Sequence, residues 1–418
     1  MLTTTANVTT ASCVSTDGKQ LLTALDRVRV VVPTRCLKPV LTGVRLECAD
    51  GELQLSATDG EIKLLTQIEA EGHLPSCVVS CAELMRRVKA LKEASCMLSV
   101  CTRPPRLVIN GGRVEHTLPT MSEEDFPPVP HRYEGDTIAL NAEELRTQLV
   151  VVGHAVAREP SRYAINGALL EADKGGVRLV ATDGRRLVVA RLDRYEARFR
   201  GQIIIPARVA RLVEKFAARE SGPLVLGAKP NTTDEGEKLP ADVYVAGPGW
   251  LLFTPEADGR FPRYRDVVPS SQSKFVVERQ QLIETLKEVA LATSEDSTMV
   301  WVDLTPRRIR LSAKSPEFGE SAAKLPARFI GGGDSTIHTA FNPAYLLDAL
   351  KSLDGEQVVI DVGQNGYGCD EKVFGKPVVL YAYGNEATRC VIMPVNAGLP
   401  AMRENLGSNY REELANAG

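Results

Sequence analysis

Apolar positions along this chain alternate between two periods, and the alternation repeats. A short strand-like run comes first, then a cap or turn residue, then apolar residues spaced three and four apart. Cys13-Val14-Ser15 passes through Thr16-Asp17 to Leu21, Leu22 and Leu25. Val78-Val79-Ser80 leads to Leu84, Val88 and Leu91, and Ile138-Ala139-Leu140 leads through Asn141 to Leu145, Leu149 and Val152. Ile203-Ile204-Ile205 and Pro206 lead to Val209, Leu212, Val213 and Phe216. Phe275-Val276-Val277 leads to Leu282, Leu286 and Val289. Ile337 to Phe341 leads through Asn342 and Pro343 to Leu346, Leu347 and Leu350. The three-and-four spacing predicts a helix with one buried face. Asn followed by Pro is a helix start, since Asn caps the first amides and Pro fits the first turn.

Between the helices the pattern changes to strict alternation, as in Val44-Arg45-Leu46-Glu47-Cys48, Leu53-Gln54-Leu55-Ser56-Ala57 and Val177-Arg178-Leu179-Val180-Ala181. Asp50-Gly51 and Gly175-Gly176 sit between such runs as hairpin turns. Each unit therefore reads β-α-β-β-β, an α+β pattern. Six units, spaced by roughly 60–70 residues, group in pairs into three domains. The joins fall at Phe126-Pro127-Pro128-Val129-Pro130 and at Phe261-Pro262-Arg263-Tyr264 running to Pro269. The expected domains are 13–131, 132–269 and 270–396, with a disordered leader at 1–12 and a tail at 397–418. Ala57-Thr58-Asp59-Gly60 returns as Ala181-Thr182-Asp183-Gly184, which reads as a repeated turn rather than a catalytic pair of carboxylates.

Composition changes the picture little. Of 418 residues, 44% are hydrophobic and 25% charged, which suits packed globular domains. No apolar run is long enough for a membrane span, and the Thr-rich start lacks a secretory signal's basic and apolar parts. Charge placement is more informative. The net charge is −3, but residues 17–30, 82–93, 141–158, 207–219, 279–291 and 343–353 together carry +6, leaving −9 elsewhere. Arg208, Arg211, Lys215 and Arg219 share one helix face, as do Arg86 and Lys89. A cationic helix face fits sequence-independent contact with phosphates. No pattern for reading bases or for stacking on single strands accompanies it.

Nine cysteines, without a CxxC pair, read as small buried residues of a reducing compartment. Cys77, Cys81 and His73 lack a fourth metal ligand at workable spacing. No phosphate-loop, zinc-protease or nucleophile-elbow motif is present. Gly331-Gly332-Gly333-Asp334 reads as a flexible turn between strands. His73, His116, His131, His154 and His338 are scattered. No catalytic residue, metal or cofactor is expected.

Several segments, in order on the threefold repeat, resemble the bacterial DNA polymerase III beta subunit, the sliding-clamp family. They are Pro39-Val40-Leu41 leading to Ala49-Asp50-Gly51, Ser161 to Gly167, Ala181 to Leu187, Asp258 to Tyr264 and Val391-Ile392-Met393-Pro394. The similarity spans about residues 13–396. It implies three similar clamp domains per chain, and a homodimeric ring with helices lining the bore and sheets outside. It implies a non-catalytic processivity factor of the cytoplasm and nucleoid, with no membrane. The implied partners are double-stranded DNA, the polymerase III catalytic subunit, the clamp loader and other proteins with a clamp-binding motif. By position, the family's peptide pocket falls on Ile165, Thr182, Gly184, Arg185, Leu187, Pro262, Val267, Val391, Met393 and Pro394. DNA-touching loops fall on Arg35, Arg158 and Arg162. The ring-closing edges fall near His116 and Leu118, and near Ala292 and Thr293.

The chain departs from the family pattern at Asp266, where the pocket rim often carries Arg, at Ala164 and at Asn396. Insertions enlarge loops near 229–241 and 363–374. A clamp-fold scaffold that binds replication or repair proteins without encircling DNA is the other reading these residues allow.

Overall fold

Six times the chain runs from a strand into a helix and out through three further strands. The computed structural model describes residues 13–91, 95–133, 135–157, 165–232, 238–295, 297–332, 336–363 and 377–395. The first repeat is Cys13–Asp17, helix α1 (Gly18–Val28), then Gly43–Ala49, Glu52–Thr58 and Lys63–Glu69. The second is Leu74–Ser80, α2 (Cys81–Ala90), Ser95–Thr102, Pro105–Asn110 and Glu115–Met121. The third is Thr137–Asn141, α3 (Ala142–Gly153), Gly167–Asp173, Gly176–Thr182 and Arg186–Leu192. The fourth is Gly201–Pro206, α4 (Ala207–Ala217), Pro223–Thr232, Lys238–Gly247 and Trp250–Pro255. The fifth is Ser271–Glu278, α5 (Arg279–Val289), Val300–Thr305, Arg308–Ser315 and Gly319–Pro326. The sixth is Ile337–Phe341, α6 (Pro343–Ser352), Gln357–Gly363, Val378–Ala382 and Asn385–Ile392.

Local chemistry explains where the helices begin. Asp17 accepts from the amides of Lys19 and Gln20, at 2.8 and 2.9 Å. Ser80 caps Glu83, Asn141 caps Glu144, and Asn342 caps Ala344 with Pro343 in the first turn. Each cap satisfies amides that have no partner inside the helix. α4 and α5 start without a side-chain cap, so tertiary packing holds their ends. The predicted apolar stripes are the buried ones: Leu21, Leu25 and Val28 on α1, and Val209, Leu212, Val213 and Phe216 on α4. Burying each such side chain contributes about 1.5–3 kcal/mol.

Three details differ from the sequence reading. α3 stops at Gly153 rather than 158, and Leu91 caps α2 in an extended conformation instead of continuing it. Gly331 and Gly332 are not turn residues; they end the strand Arg328–Gly332 and pair with Lys274 and Ser273. Asp50-Gly51 does turn the first hairpin, both residues having positive φ (54° and 84°), the geometry of a two-residue type I′ turn.

By its internal contacts the chain divides into two compact units. One comprises 1–147, 172–175 and 193–258; the other comprises 148–171, 176–192 and 259–418. In the first, one sheet joins repeats one and four. Lys63 stands opposite Phe253 and Leu64 opposite Leu252. In the second, the same join links repeats three and six, with Leu187 opposite Val391 and Arg186 opposite Ile392. The first Pro-rich join is packed: Phe126 and Val129 are buried with Leu65, Tyr244 and Leu251.

Candidate partner-peptide site and nucleic-acid interface

The recurring Thr-Asp-Gly turn sets the geometry of the second unit's candidate site. Thr182 Oγ1 accepts from the Gly184 amide (3.1 Å) and donates to the Arg186 carbonyl (2.7 Å). One Asp183 oxygen accepts from the amides of Arg185 and Arg186, at 2.9 and 3.0 Å. Gly184 takes φ of 84°, which favours glycine. The turn delivers the chain into the strand Arg186–Leu192. There Thr182, Leu187, Val391 and Val379 stand opposite one another across four strands. The Met393 amide donates to the Arg185 carbonyl at 2.9 Å, so the end of the last strand lies beside the turn.

Predicted site residues therefore meet although some 200 residues separate them in sequence. Leu187 and Val391 are only 5% and 2% exposed, and Thr182 is buried by its turn. Gly184 and Arg185 are exposed, while Met393 and Pro394 are half-buried. Ile165 is buried and its carbonyl accepts from the Ala157 amide. Pro262 and Val267 are half-buried and bracket a short 3₁₀ turn, Tyr264–Asp266. That turn is anchored by a carboxylate that the sequence analysis did not single out. Glu171 is 7% exposed and accepts from the Tyr264 hydroxyl (2.5 Å) and Arg265 (2.7 Å). Burial and this hydrogen bond raise the Tyr264 pKa.

Arg186 was also missed, although it lies within the motif that carries the resemblance. Its guanidinium sits 4.5 Å over the Tyr345 ring and binds Asp348 (2.7 Å) and Asp183 (3.0 Å). Arg185 reaches the Tyr345 hydroxyl at 3.5 Å. His154, in the turn after α3, has both ring nitrogens buried without a hydrogen bond to described residues. Its burial, reinforced by Arg186 and opposed by Asp348 and Asp183, lowers its pKa to about 4.

The other candidate surface is cationic. α1 and α2 pack together. At their ends Arg29, Arg86 and Lys89 line a cleft of about 870 Å³ with Pro33, Thr34 and Met85. Arg35 follows in an exposed loop beside Leu37 and Lys38, and Leu37 is fully exposed. Arg211 and Lys215 are exposed on α4 and make no ion pair with described residues. Arg208 does not stand free; it pairs with Asp59, and Arg86 pairs with Glu83 at 2.7 Å. Over the observed helices, α1 carries +1, α2 +2, α3 −1, α4 +2, and α5 and α6 none. The cationic excess is thus smaller than the predicted ranges gave, because Arg158 and Arg219 fall outside α3 and α4. Arg158 and Arg162 lie outside the described residues.

Asp59 repeats the turn of Asp183, accepting from the amides of Glu61 and Ile62. Among the described residues no three metal-ligating side chains group together. Cys48, Cys77, Cys81, Cys96 and Cys390 are buried as expected, and burial raises Cys77 and Cys390 to about 12. Cys13 and Cys36 are exposed, against the expectation for the set. No described helix is long and apolar enough to cross a membrane.

Family models match almost the whole of this region. Residues 13–130 match the N-terminal domain of the DNA polymerase III beta subunit, 139–262 its central domain and 265–396 its C-terminal domain. The beta sliding clamp of Chlamydia pneumoniae is 30% identical over 350 residues, covering 82% of this chain and 90% of that protein. The beta sliding clamp of Pseudomonas aeruginosa is 30% identical over 345 residues, covering 81% and 89%. A crystal structure of the Pseudomonas aeruginosa sliding clamp bound to griselimycin aligns with a TM-score of 0.78 at 25% identity. It covers 92% of this chain and 99% of that one.

Proposed function

Because the chain belongs to the DNA polymerase III beta subunit family, the sliding clamps, we propose that two copies close around duplex DNA and tether replication and repair proteins. The observation that carries this reading is charge placement. A chain of net charge −3 carries net positive charge on α1, α2 and α4, where Lys19, Arg86, Lys89, Arg211 and Lys215 form exposed cationic faces. Such faces attract phosphate without reading sequence, and their contacts are weakened by salt, which suits a ring that must move along DNA. Arg35, Arg86, Lys89, Arg158, Arg162, Arg208, Arg211 and Lys215 supply these contacts. Arg208 and Arg86 act there only by leaving Asp59 and Glu83.

Closure uses open strand edges. Glu115–Pro119 of one strand pairs on one side with Pro105–Asn110. Gly319–Pro326 ends the four-stranded sheet. Beside that edge, Leu291 is 78% exposed. Antiparallel pairing of the first edge with the second edge of another copy satisfies both rows of backbone groups, and covers Leu291. Two such contacts close a ring of domains 13–131, 132–269 and 270–396 from each copy.

The site around Leu187, Val391 and Met393 takes an extended peptide. Its apolar row accepts aliphatic and aromatic side chains, Met393 adapts to their shapes, and Arg185 meets their carboxylates. The polymerase III catalytic subunit, the clamp loader and other motif-bearing proteins are the expected ligands, in the cytoplasm at the nucleoid.

Topological retention tests the reading. The protein is loaded by its clamp loader onto a nicked circle, which is then linearised. Retention on the circle and escape from the free ends is expected. Failure to be retained on either form, with the loader active on another clamp, leaves a scaffold that does not encircle DNA.

A further inference from the structure

The join between repeats one and four copies, strand for strand, the join between repeats three and six, and it carries an open cleft of its own. Lys63 stands opposite Phe253 where Leu187 stands opposite Val391. Thr58, Asp59 and Gly60 form the same turn as Thr182, Asp183 and Gly184. Around the first join lies a cleft of about 420 Å³, lined by Gly60, Glu61 and Lys63, from Pro130 to Tyr133 and by the strand end Phe253–Pro255. All of these residues belong to the first compact unit.

The chemistry of this cleft differs from that of its counterpart. Its floor is aromatic. Tyr133 stacks on Tyr244 at 4.8 Å with an interplanar angle of 17°, and Tyr244 leans on Phe253 at 6.2 Å. Tyr244 is 1% exposed and its hydroxyl donates to the Asp136 carbonyl at 3.3 Å. Gly227 makes room for it, because a Cβ there would lie 2.1 Å from that hydroxyl. Tyr133, at 39% exposure, leaves its outer face to solvent. The walls are charged. Lys229 and Asp242 stand opposite each other on neighbouring strands. Lys63, Arg132 and Glu61 line it as well, which leaves the cleft with an excess of one positive charge.

We propose that this cleft is a second partner-binding site, and that it takes an extended acidic peptide with an aromatic or aliphatic side chain. The Tyr133 face and Phe253 receive the apolar side chain, for which a flat aromatic platform gives area at little entropic cost. Lys63 and Arg132 pair with the carboxylates beside it. Glu61 and Asp242 accept from backbone amides between them. Single-stranded nucleic acid suits these walls less well. Its phosphates are unbroken in charge and would meet both Glu61 and Asp242, and Tyr133 is one stacking platform rather than a row. This site is independent of the peptide site around Leu187.

The test uses the full chain and a fluorescein-labelled peptide, Asp-Glu-Phe-Leu-Asp-Glu, read by fluorescence anisotropy. Binding is expected to wild type and, unchanged, to Met393→Asp, which disables the other site. Lys63→Glu with Arg132→Glu is expected to weaken it by about tenfold or more, since reversed charges now repel the ligand. Tyr133→Ser, at an exposed position, is expected to weaken it severalfold without affecting folding. Absence of binding to wild type overturns the proposal. So does binding that Met393→Asp abolishes and the cleft variants leave alone; that result assigns the peptide to the other site. Displacement of the peptide by a ten-nucleotide oligothymidine, lost in the cleft variants, assigns the cleft to single strands and also overturns it.

Discussion

At the residue scale, the candidate peptide site depends on groups that touch no ligand. Glu171 is a buried carboxylate that accepts from Arg265 and from the Tyr264 hydroxyl, with Arg178 3.8 Å away. Removing one donor leaves the charge less compensated. Tyr264→Phe is expected to lower stability by about 1.5–3 kcal/mol, the range for a hydrogen bond to a charged group. Urea unfolding measures it, and peptide affinity should fall with it because Pro262 and Val267 flank the anchored turn. His154 gives a pH signature. Its folded pKa of about 4 lies below the ordinary 6.5, so the unfolded chain takes up a proton first as pH falls. Stability linked to this group is whole above pH 7 and is lost progressively between about 6.5 and 4. The loss is at most roughly 3 kcal/mol. His154→Gln is expected to flatten that part of the stability profile. An unchanged profile would mean that the ring is protonated or solvated in the folded chain.

At the scale of elements, the proposed ring closure rests on strands at sheet edges. An edge strand with free backbone groups is a hazard unless something covers it. Gly319–Pro326 is such an edge, and the exposed Leu291 lies in the short 3₁₀ turn packed against it. Leu291→Asp is expected to weaken self-association by about 10- to 100-fold, equivalent to the loss of one buried Leu contact. Sedimentation velocity over a concentration series measures this, and the unfolding midpoint of the monomer should not move. The helices illustrate a different rule. Their caps at Asp17, Ser80, Asn141 and Asn342 are local and legible, whereas the starts of α4 and α5 depend on packing.

At the scale of the molecule, the proposed contact with DNA rests on where charge is placed rather than on how much there is. The cationic side chains near α1 and α2 collect around one cleft, and the Arg35 loop leaves from its edge. Arg35→Ala with Arg162→Ala is expected to reduce the amount of protein loaded on nicked circles and to leave folding intact. The slope of log affinity against log salt should shrink by about 2, near one unit per lost phosphate contact. An unchanged slope and loading yield would remove these two residues from the interface.

The repeat, the α+β class and the buried helix stripes were legible in the sequence. Periodicity and capping are local properties, read from neighbours a few residues apart. The Thr-Asp-Gly turns were legible for the same reason, since Asp59 and Asp183 bond to amides two and three residues on. Partnerships across the chain were not. No spacing rule joins Leu187 to Val391, Tyr264 to Glu171 or Arg208 to Asp59. Strand register and helix packing decide them, and these follow from burying one face of every element at once. Tertiary structure also decided which cations are already neutralised, and it opened an aromatic cleft where the sequence showed only a proline-rich join.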